Sequence, residues 1–242
     1  MSVSNMKRYA LVTGGAVRVG KLLTEHLLNR YDGIIIIYRL SETNAKQLQD
    51  EYGSQKIILF QCDLSDHSQL ISVVDQIFVN YNVQLLVNNA STMTNETLVQ
   101  TTQSSLLSNF SIHLFAPIIL SQYLVKFHKE NAQIINILDI KVYTNQSKRS
   151  AYLLSKKSLE DFTQMAALEF APTVRVNGIA IGWIYDPSGK ERSQVEQEKY
   201  LSKIPLKQKV SENQLLTTID YILDNEQLTG QILNLAGGSD LK

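Results

Sequence analysis

The stretch Tyr9-Ala10-Leu11-Val12-Thr13-Gly14-Gly15-Ala16-Val17-Arg18-Val19-Gly20 joins a short apolar run to a glycine turn and then to the start of a helix. Small residues at such a turn let the backbone approach a pyrophosphate, and the helix after it offers unpaired N–H groups and a positive dipole end. The glycines stand at 14, 15 and 20, and Arg18 occupies a place where the G-x-G-x-x-G spacing would put another glycine. A short glycine motif has an ordinary reading, a plain turn, so its weight depends on the elements downstream of it in the chain.

Downstream the chain alternates regularly. Strand-length apolar runs lie at 9–13, 33–38, 56–61, 83–88, 133–138, 175–180 and 231–235, and helical patterns at 19–31, 41–52, 65–81, 102–129, 150–170 and 211–224. Most runs are continuous Ile/Leu/Val rather than alternating, as in parallel strands covered on both faces. The pattern predicts an α/β, doubly wound, mostly parallel sheet of about seven strands with helices on both faces, in one domain spanning 1–242. The polar segment 185–210, with Pro187, Gly189 and Pro205, breaks the rhythm. It suits either a mobile loop with a short helix over a site or a surface excursion.

Composition narrows the function classes. The 242 residues carry 23 basic and 23 acidic side chains, with no clustered basic face of the kind nucleic acid requires. The longest apolar run, 33–38, is too short to span a bilayer, and 1–8 does not read as a signal peptide. Cys62 is the only cysteine, and His26, His67, His113 and His128 lack metal-ligand spacing, so no metal site is expected. A cytoplasmic location is the expectation.

The strand ends carry the chemistry. Tyr38-Arg39-Leu40-Ser41 puts Arg39 where an acid would hold a free ribose 2′-OH, which points to NADPH, with Ser41 and Arg18 as further phosphate contacts. Asp63-Leu64 and Asn89-Ala90-Ser91 lie at the carboxyl edge of the sheet, the first toward an adenine and the second along the channel to the nicotinamide; Asp63 can equally be the N-terminal acid of the next helix. Tyr152 and Lys156 share one helix face at i and i+4, so the ammonium is expected to lower the phenol's pKa and make Tyr152 a proton donor. Asp139 ends a strand 13 residues before Tyr152 and can relay or donate a proton there.

Taken in order, Thr13-Gly14 to Gly20, Asp63, Asn88-Asn89-Ala90, Tyr152 to Lys156, Arg175-Val176-Asn177 and Leu228-Thr229-Gly230 to Gly237-Gly238 resemble the short-chain dehydrogenase/reductase family over nearly the full length. Arg18 for the middle glycine, Ser91 after Asn-Asn-Ala, Asp139 in place of a catalytic serine and His113 in place of an active-site asparagine resemble one branch, the pteridine and dihydromonapterin reductases. The resemblance implies hydride transfer from NADPH to a C=N bond of a dihydropterin. It implies Tyr152 as proton donor assisted by Asp139, Lys156 on the nicotinamide ribose, and Arg18 on both cofactor phosphate and pterin. It places Gly14, Val19, Gly20, Tyr38, Leu64, Ser91 and Gly182 along the cofactor, and it implies a homotetramer.

His113 has two readings, a proton-network residue holding a water or backbone group near Lys156, or a packed helix histidine. Met93 stands where the branch has an aromatic wall, and Trp183 either supplies that face or belongs to the core. The competing functions are reduction of another carbonyl (sugar, steroid or acyl-carrier type) and a non-enzymatic NADPH-binding regulator. A slight acidic excess after Trp183, from Asp186, Glu191, Glu196 and Glu198 against Lys190, Arg192 and Lys199, is expected to make dihydrofolate a poorer substrate than a dihydropterin with a short polyol.

Overall fold

The computed structural model describes residues 6–128, 131–185 and 193–241. Strands β1 (Tyr9–Thr13), β2 (Gly33–Tyr38), β3 (Ile57–Gln61), β4 (Val83–Asn88), β5 (Ala132–Asp139), β6 (Val174–Ile181) and β7 (Ile232–Leu235) form one sheet in the order β3-β2-β1-β4-β5-β6-β7. Every pairing is parallel. The four isoleucines of β2 are all buried, which is why the run is continuous rather than alternating. β5 and β6 each run one residue further than the sequence pattern indicates, and the Asp139–Ile181 pairing makes Asp139 the last residue of its strand.

Helices α1 (Arg18–Leu27), α2 (Glu42–Tyr52) and α8 (Glu212–Asp224) cover one face with Leu23, Leu27, Leu48, Leu215 and Ile219. Helices α3 (His67–Asn80), α5 (Ala116–Phe127) and α6 (Ser150–Phe170) cover the other with Leu70, Val74, Ile77, Leu120, Leu124 and Ala166. Three buried polar side chains tie the second layer to the sheet: Asn88 donates to Asn136 at 2.8 Å, and Asn136 donates to Thr163 on α6 at 2.8 Å.

The single helix expected over 102–129 is three pieces: α4 (Gln103–Phe110), a π-helical turn at Ser111–Phe115, and α5. Pro117 lies in the first turn of α5. A proline ring in a regular helix collides with the carbonyl four residues back, here that of His113, and the wider turn, closed by a bond from the Ala116 N–H to the Ser111 carbonyl, accommodates it. The stretch Gln103–Phe127 is long and apolar enough to cross a membrane by length and composition, but Leu120 and Leu124 face the protein core. The segment between 185 and 210, expected as a loop with a short helix or a surface excursion, contains the short helix α7 (Gln194–Leu201), capped by Ser193 and Glu196; its residues 186–192 lie outside the described ones.

Candidate active site

The strand order reverses between β1 and β4, and at the carboxyl ends of the strands there a cleft of about 1130 Å³ opens. A crevice at this switch point is where open α/β sheets hold ligands. Its size exceeds the roughly 300–1,000 Å³ of a pocket for one small molecule.

The half formed by β1 to β3 is built for a dinucleotide. A Cβ on Gly20 would meet the Gly14 carbonyl oxygen at 2.0 Å, so only glycine lets α1 pack this closely on the turn. The turn is held from β4: the Asn89 side chain donates to the Thr13 carbonyl at 2.9 Å, and the Asn89 and Ala90 amides donate to Thr13 Oγ1 at 2.9 and 3.0 Å. Helix α1 has no capping side chain and no acid in its first turn, and Val17 to Gly20 line the cleft, so its positive end suits a pyrophosphate. Arg18 sits in the left-handed region at φ +49°, a conformation that favours glycine and marks functional strain in an arginine.

Tyr38, Arg39, Ser41, Asp63 and Leu64 line the same half. Ser41 makes no side-chain bond to the helix it precedes, which leaves its hydroxyl for a phosphate. Arg39 lies 3.5 Å from Asp63 with both partners partly exposed, at the end of β2 where a 2′-phosphate would sit. Asp63 accepts the Ser65 amide and hydroxyl; burial opposes its charge, but these bonds and Arg39 hold its carboxyl below the usual carboxylate range. The acid that caps α3 is Asp66, which decides against that alternative for Asp63.

The half formed by β4 to β6 holds the reactive groups. Asp139 Oδ1 accepts the Lys141 amide at 2.8 Å, and Oδ2 accepts the Tyr152 hydroxyl at 2.8 Å. Tyr152 is 7% exposed; burial and then the Asp139 carboxyl push its phenol well above its ordinary pKa. Lys156, 3% exposed, donates to the Ile137 carbonyl at 2.7 Å. Burial brings its ammonium down to about 8, with Asp139 opposing the shift. These contacts correct the sequence expectation that Lys156 lowers the phenol. The lysine extends to the Ile137 carbonyl of β5, and burial, then the Asp139 carboxyl, raises the phenol. The cation that does act on Tyr152 in the lowering direction is Arg149.

His113 is fully buried in the π-helical turn and does not line the cleft. Its Nε2 accepts the Thr92 amide at 3.2 Å and lies 3.0 Å from Ser91 Oγ, which assigns the proton to Nδ1, a donor to Ser155 Oγ at 2.8 Å. Burial, and then Lys156, push its pKa well below 6.5, so the ring is neutral. It packs edge-on against Tyr152, with centroids 5.4 Å apart. It thus touches the helix that carries Tyr152 and Lys156 from behind the cleft rather than from within it.

Ser91, Met93 and Gly182 also line the cleft. Gly182 backs directly onto β7's end, where a Cβ would meet Ala236 Cα at 2.9 Å. Trp183 is largely buried, yet borders the cleft with its ring against Tyr200 (5.0 Å between centroids) and Lys209 (5.2 Å). It is therefore both core and wall. Tyr200 and Lys203 line the cleft and were not legible in sequence. The one available signal was the Ser193-x-x-Glu196 capping box, which predicts α7 beneath them. Lys148 and Arg149 also line it without any sequence signal. Of the acids in the expected acidic excess, Glu196 accepts from Ser193 and Glu198 from Gln194, and neither lines the cleft, while Asp186, Lys190, Glu191 and Arg192 lie outside the described residues. Among the described residues no cluster of His, Cys, Asp or Glu could hold a metal ion.

Residues 25–240 match the family described as enoyl-(acyl carrier protein) reductase. The chain is 29% identical to the dihydromonapterin reductase of Shigella boydii over 238 residues, covering 96% of each. It is 26% identical to the 3-oxoacyl-[acyl-carrier-protein] reductase FabG of Buchnera aphidicola, over 96% of this chain and 97% of the other. Among solved structures it is similar to FolM alternative dihydrofolate reductase 1 from Brucella canis complexed with NADP, with a TM-score of 0.85 and 30% identity over 99% of this chain and 96% of that one.

Proposed function

The chain belongs to the short-chain dehydrogenase/reductase family and is an NADPH-dependent oxidoreductase; from that premise we propose that it reduces a 7,8-dihydropterin to the tetrahydro form. The observation that carries this reading is the Tyr152–Asp139 hydrogen bond at the end of β5. Ordinary carbonyl reducers of the fold, by the family resemblance, have a serine at that place. The dihydromonapterin reductase and FolM relatives support the same reading.

NADPH, when bound, supplies a hydride for the carbon of the substrate's C=N bond. The protein supplies the rest. Gly14, Gly20 and the head of α1 take the pyrophosphate, Arg39 and Ser41 the 2′-phosphate, and Asn89 to Ser91 line the way to the nicotinamide. Lys156 would hold the nicotinamide ribose, and Arg18 would reach both cofactor phosphate and pterin. The proton for the nitrogen comes from Tyr152. A phenol raised above its ordinary pKa is a weak acid when it acts alone. If Asp139 enters protonated, it returns a proton to Tyr152 Oη as Oη gives its own to the substrate nitrogen, and the charge left behind is a carboxylate rather than a buried phenolate. Met93, Trp183 and Tyr200 wall the ring's site.

A second reading, reduction of an acyl-carrier β-ketone, is supported by the FabG relative, and the matching family's description shares with it only the acyl-carrier substrate. NADPH oxidation measured with dihydromonapterin, dihydrobiopterin, dihydrofolate, an acetoacetyl thioester and simple ketones separates the two. Turnover of the dihydropterins is expected; turnover of the thioester or a ketone with no dihydropterin reduction contradicts the proposal. We further infer a cytoplasmic homotetramer, supported by the exposed Leu107 and Phe115 along α4 and the π-helical turn, the exposed Phe127 at the end of α5, and the lone reduced cysteine.

A further inference from the structure

We propose that the substrate half of the cleft contains an anion subsite, formed by Lys148, Arg149 and Lys203, that grips a carboxylate or phosphate on the substrate's tail. The proposal rests on the dihydropterin reading and deepens it, by adding a charged tail to the substrate class.

The chain as a whole is balanced, with 23 basic and 23 acidic side chains, yet the cleft is not. Around its β5–β6 half stand Lys141, Lys148, Arg149 and Lys203, and the one carboxyl among the described lining residues there is Asp139, already engaged by Tyr152 and the Lys141 amide. Among the described residues none of these four cations forms an ion pair; the pairs present involve Lys21, His26, Arg30, Arg39 and Lys46. Clustered cations without partners in a cleft focus a positive potential that raises the local concentration of an anion.

Arg149 is the most informative member. It is half-buried and held at φ +64° immediately before α6. An arginine in the left-handed region is strained and persists where surrounding structure requires it. Arg149 lines the cleft, near enough for its charge to act on the Tyr152 phenol. Helix α6 adds its own positive end, with no acid in its first turn. Lys203 approaches from the turn after α7, one turn beyond Tyr200, so a ring against Tyr200 would carry its tail toward Lys203. A guanidinium and two ammonium groups suit a carboxylate or phosphate through charge-assisted bonds.

The test uses the single tryptophan, Trp183, which borders the cleft beside Tyr200. Trp183 fluorescence is titrated in the NADP-saturated protein with p-aminobenzoylglutamate, a pterin-free dicarboxylate, and separately with tripolyphosphate. At least one is expected to bind, with affinity falling as salt rises, and the Lys148→Ala/Lys203→Ala double variant is expected to weaken binding about tenfold. Binding of the first alone assigns a carboxylate tail, and of the second alone a phosphate ester. Steady-state kinetics give the parallel readout: kcat/KM for the dihydropterin bearing that anion, relative to neutral dihydromonapterin, should fall about tenfold in the same variant. Anion titration without any dihydropterin reduction would retain the subsite and overturn the function. Dihydropterin reduction with neither anion titrating, or with affinity unchanged in the double variant, would overturn the subsite and retain the function.

Discussion

Tyr152 and Lys156 share a helix face, and the sequence spacing made that legible because i and i+4 meet on any helix. Their partners were not legible, since these depend on where β5 ends against α6. Once Asp139 closes its strand by pairing with Ile181, its carboxyl reaches Tyr152 and the Ile137 carbonyl takes Lys156. The consequence is a lysine whose charge is lost near pH 8 rather than near its ordinary 10.5. Between those two values the unfolded chain binds the Lys156 proton and the folded chain does not, so this residue makes stability rise with pH across that window. Urea unfolding of the wild type and Lys156→Met at pH 8 and pH 10 checks the sign. The wild type is expected to gain stability relative to the variant at the higher pH; a relative loss contradicts the assignment.

At the level of elements, the β-strands and most helices were legible from periodicity, but the π-helical turn at Ser111–Phe115 was not. Apolar spacing in a helix with one wide turn differs too little from the regular pattern to show it, although Pro117 was a local cue. That turn carries His113, which ties the loop at Ser91 and Thr92 to Ser155 on the helix bearing Tyr152. We assign it a mechanical part, since it bridges that loop and that helix and burial, then Lys156, disfavours its charged form. His113→Ala is therefore expected to lower kcat about tenfold or more through misplacement of Tyr152, while the shape of the pH–rate profile between pH 5 and 8 is kept. An ionisation in that range that disappears in the variant would make His113 a proton-transfer group and contradict this role. The glycine-turn helix start was legible for a different reason: a Cβ 2.0 Å from a backbone oxygen leaves no substitute for Gly20.

Across the whole molecule, strand order places two chemistries side by side at the switch between β1 and β4. In the proposed reading the β1–β3 half takes phosphates and the β4–β6 half the ring to be reduced, and cations of the neutral chain line both. The dinucleotide half was almost fully legible, because its glycines, Arg39 and Asn89 belong to short local patterns. Of the substrate half, Arg18, Ser91, Met93, Asp139, Tyr152, Lys156, Gly182 and Trp183 were legible. Tyr200, Lys203 and Arg149 reach the cleft through the packing of α7 and a left-handed residue before α6, neither of which leaves a periodic trace. At the centre of the proposed function, the Tyr152–Asp139 pair delivers the proton to a dihydropterin. Asparagine at 139 puts an NH2 donor in place of one of the two oxygens that separately accept the Lys141 amide and the Tyr152 hydroxyl, and it has no carboxyl to return a proton. Steady-state NADPH oxidation with dihydromonapterin, run side by side on the wild type and Asp139→Asn, tests this most directly. Turnover by the wild type and a loss of about 10²-fold or more in kcat for the variant are expected; no dihydropterin reduction by the wild type, or equal kcat in the two proteins, would contradict the pair's role.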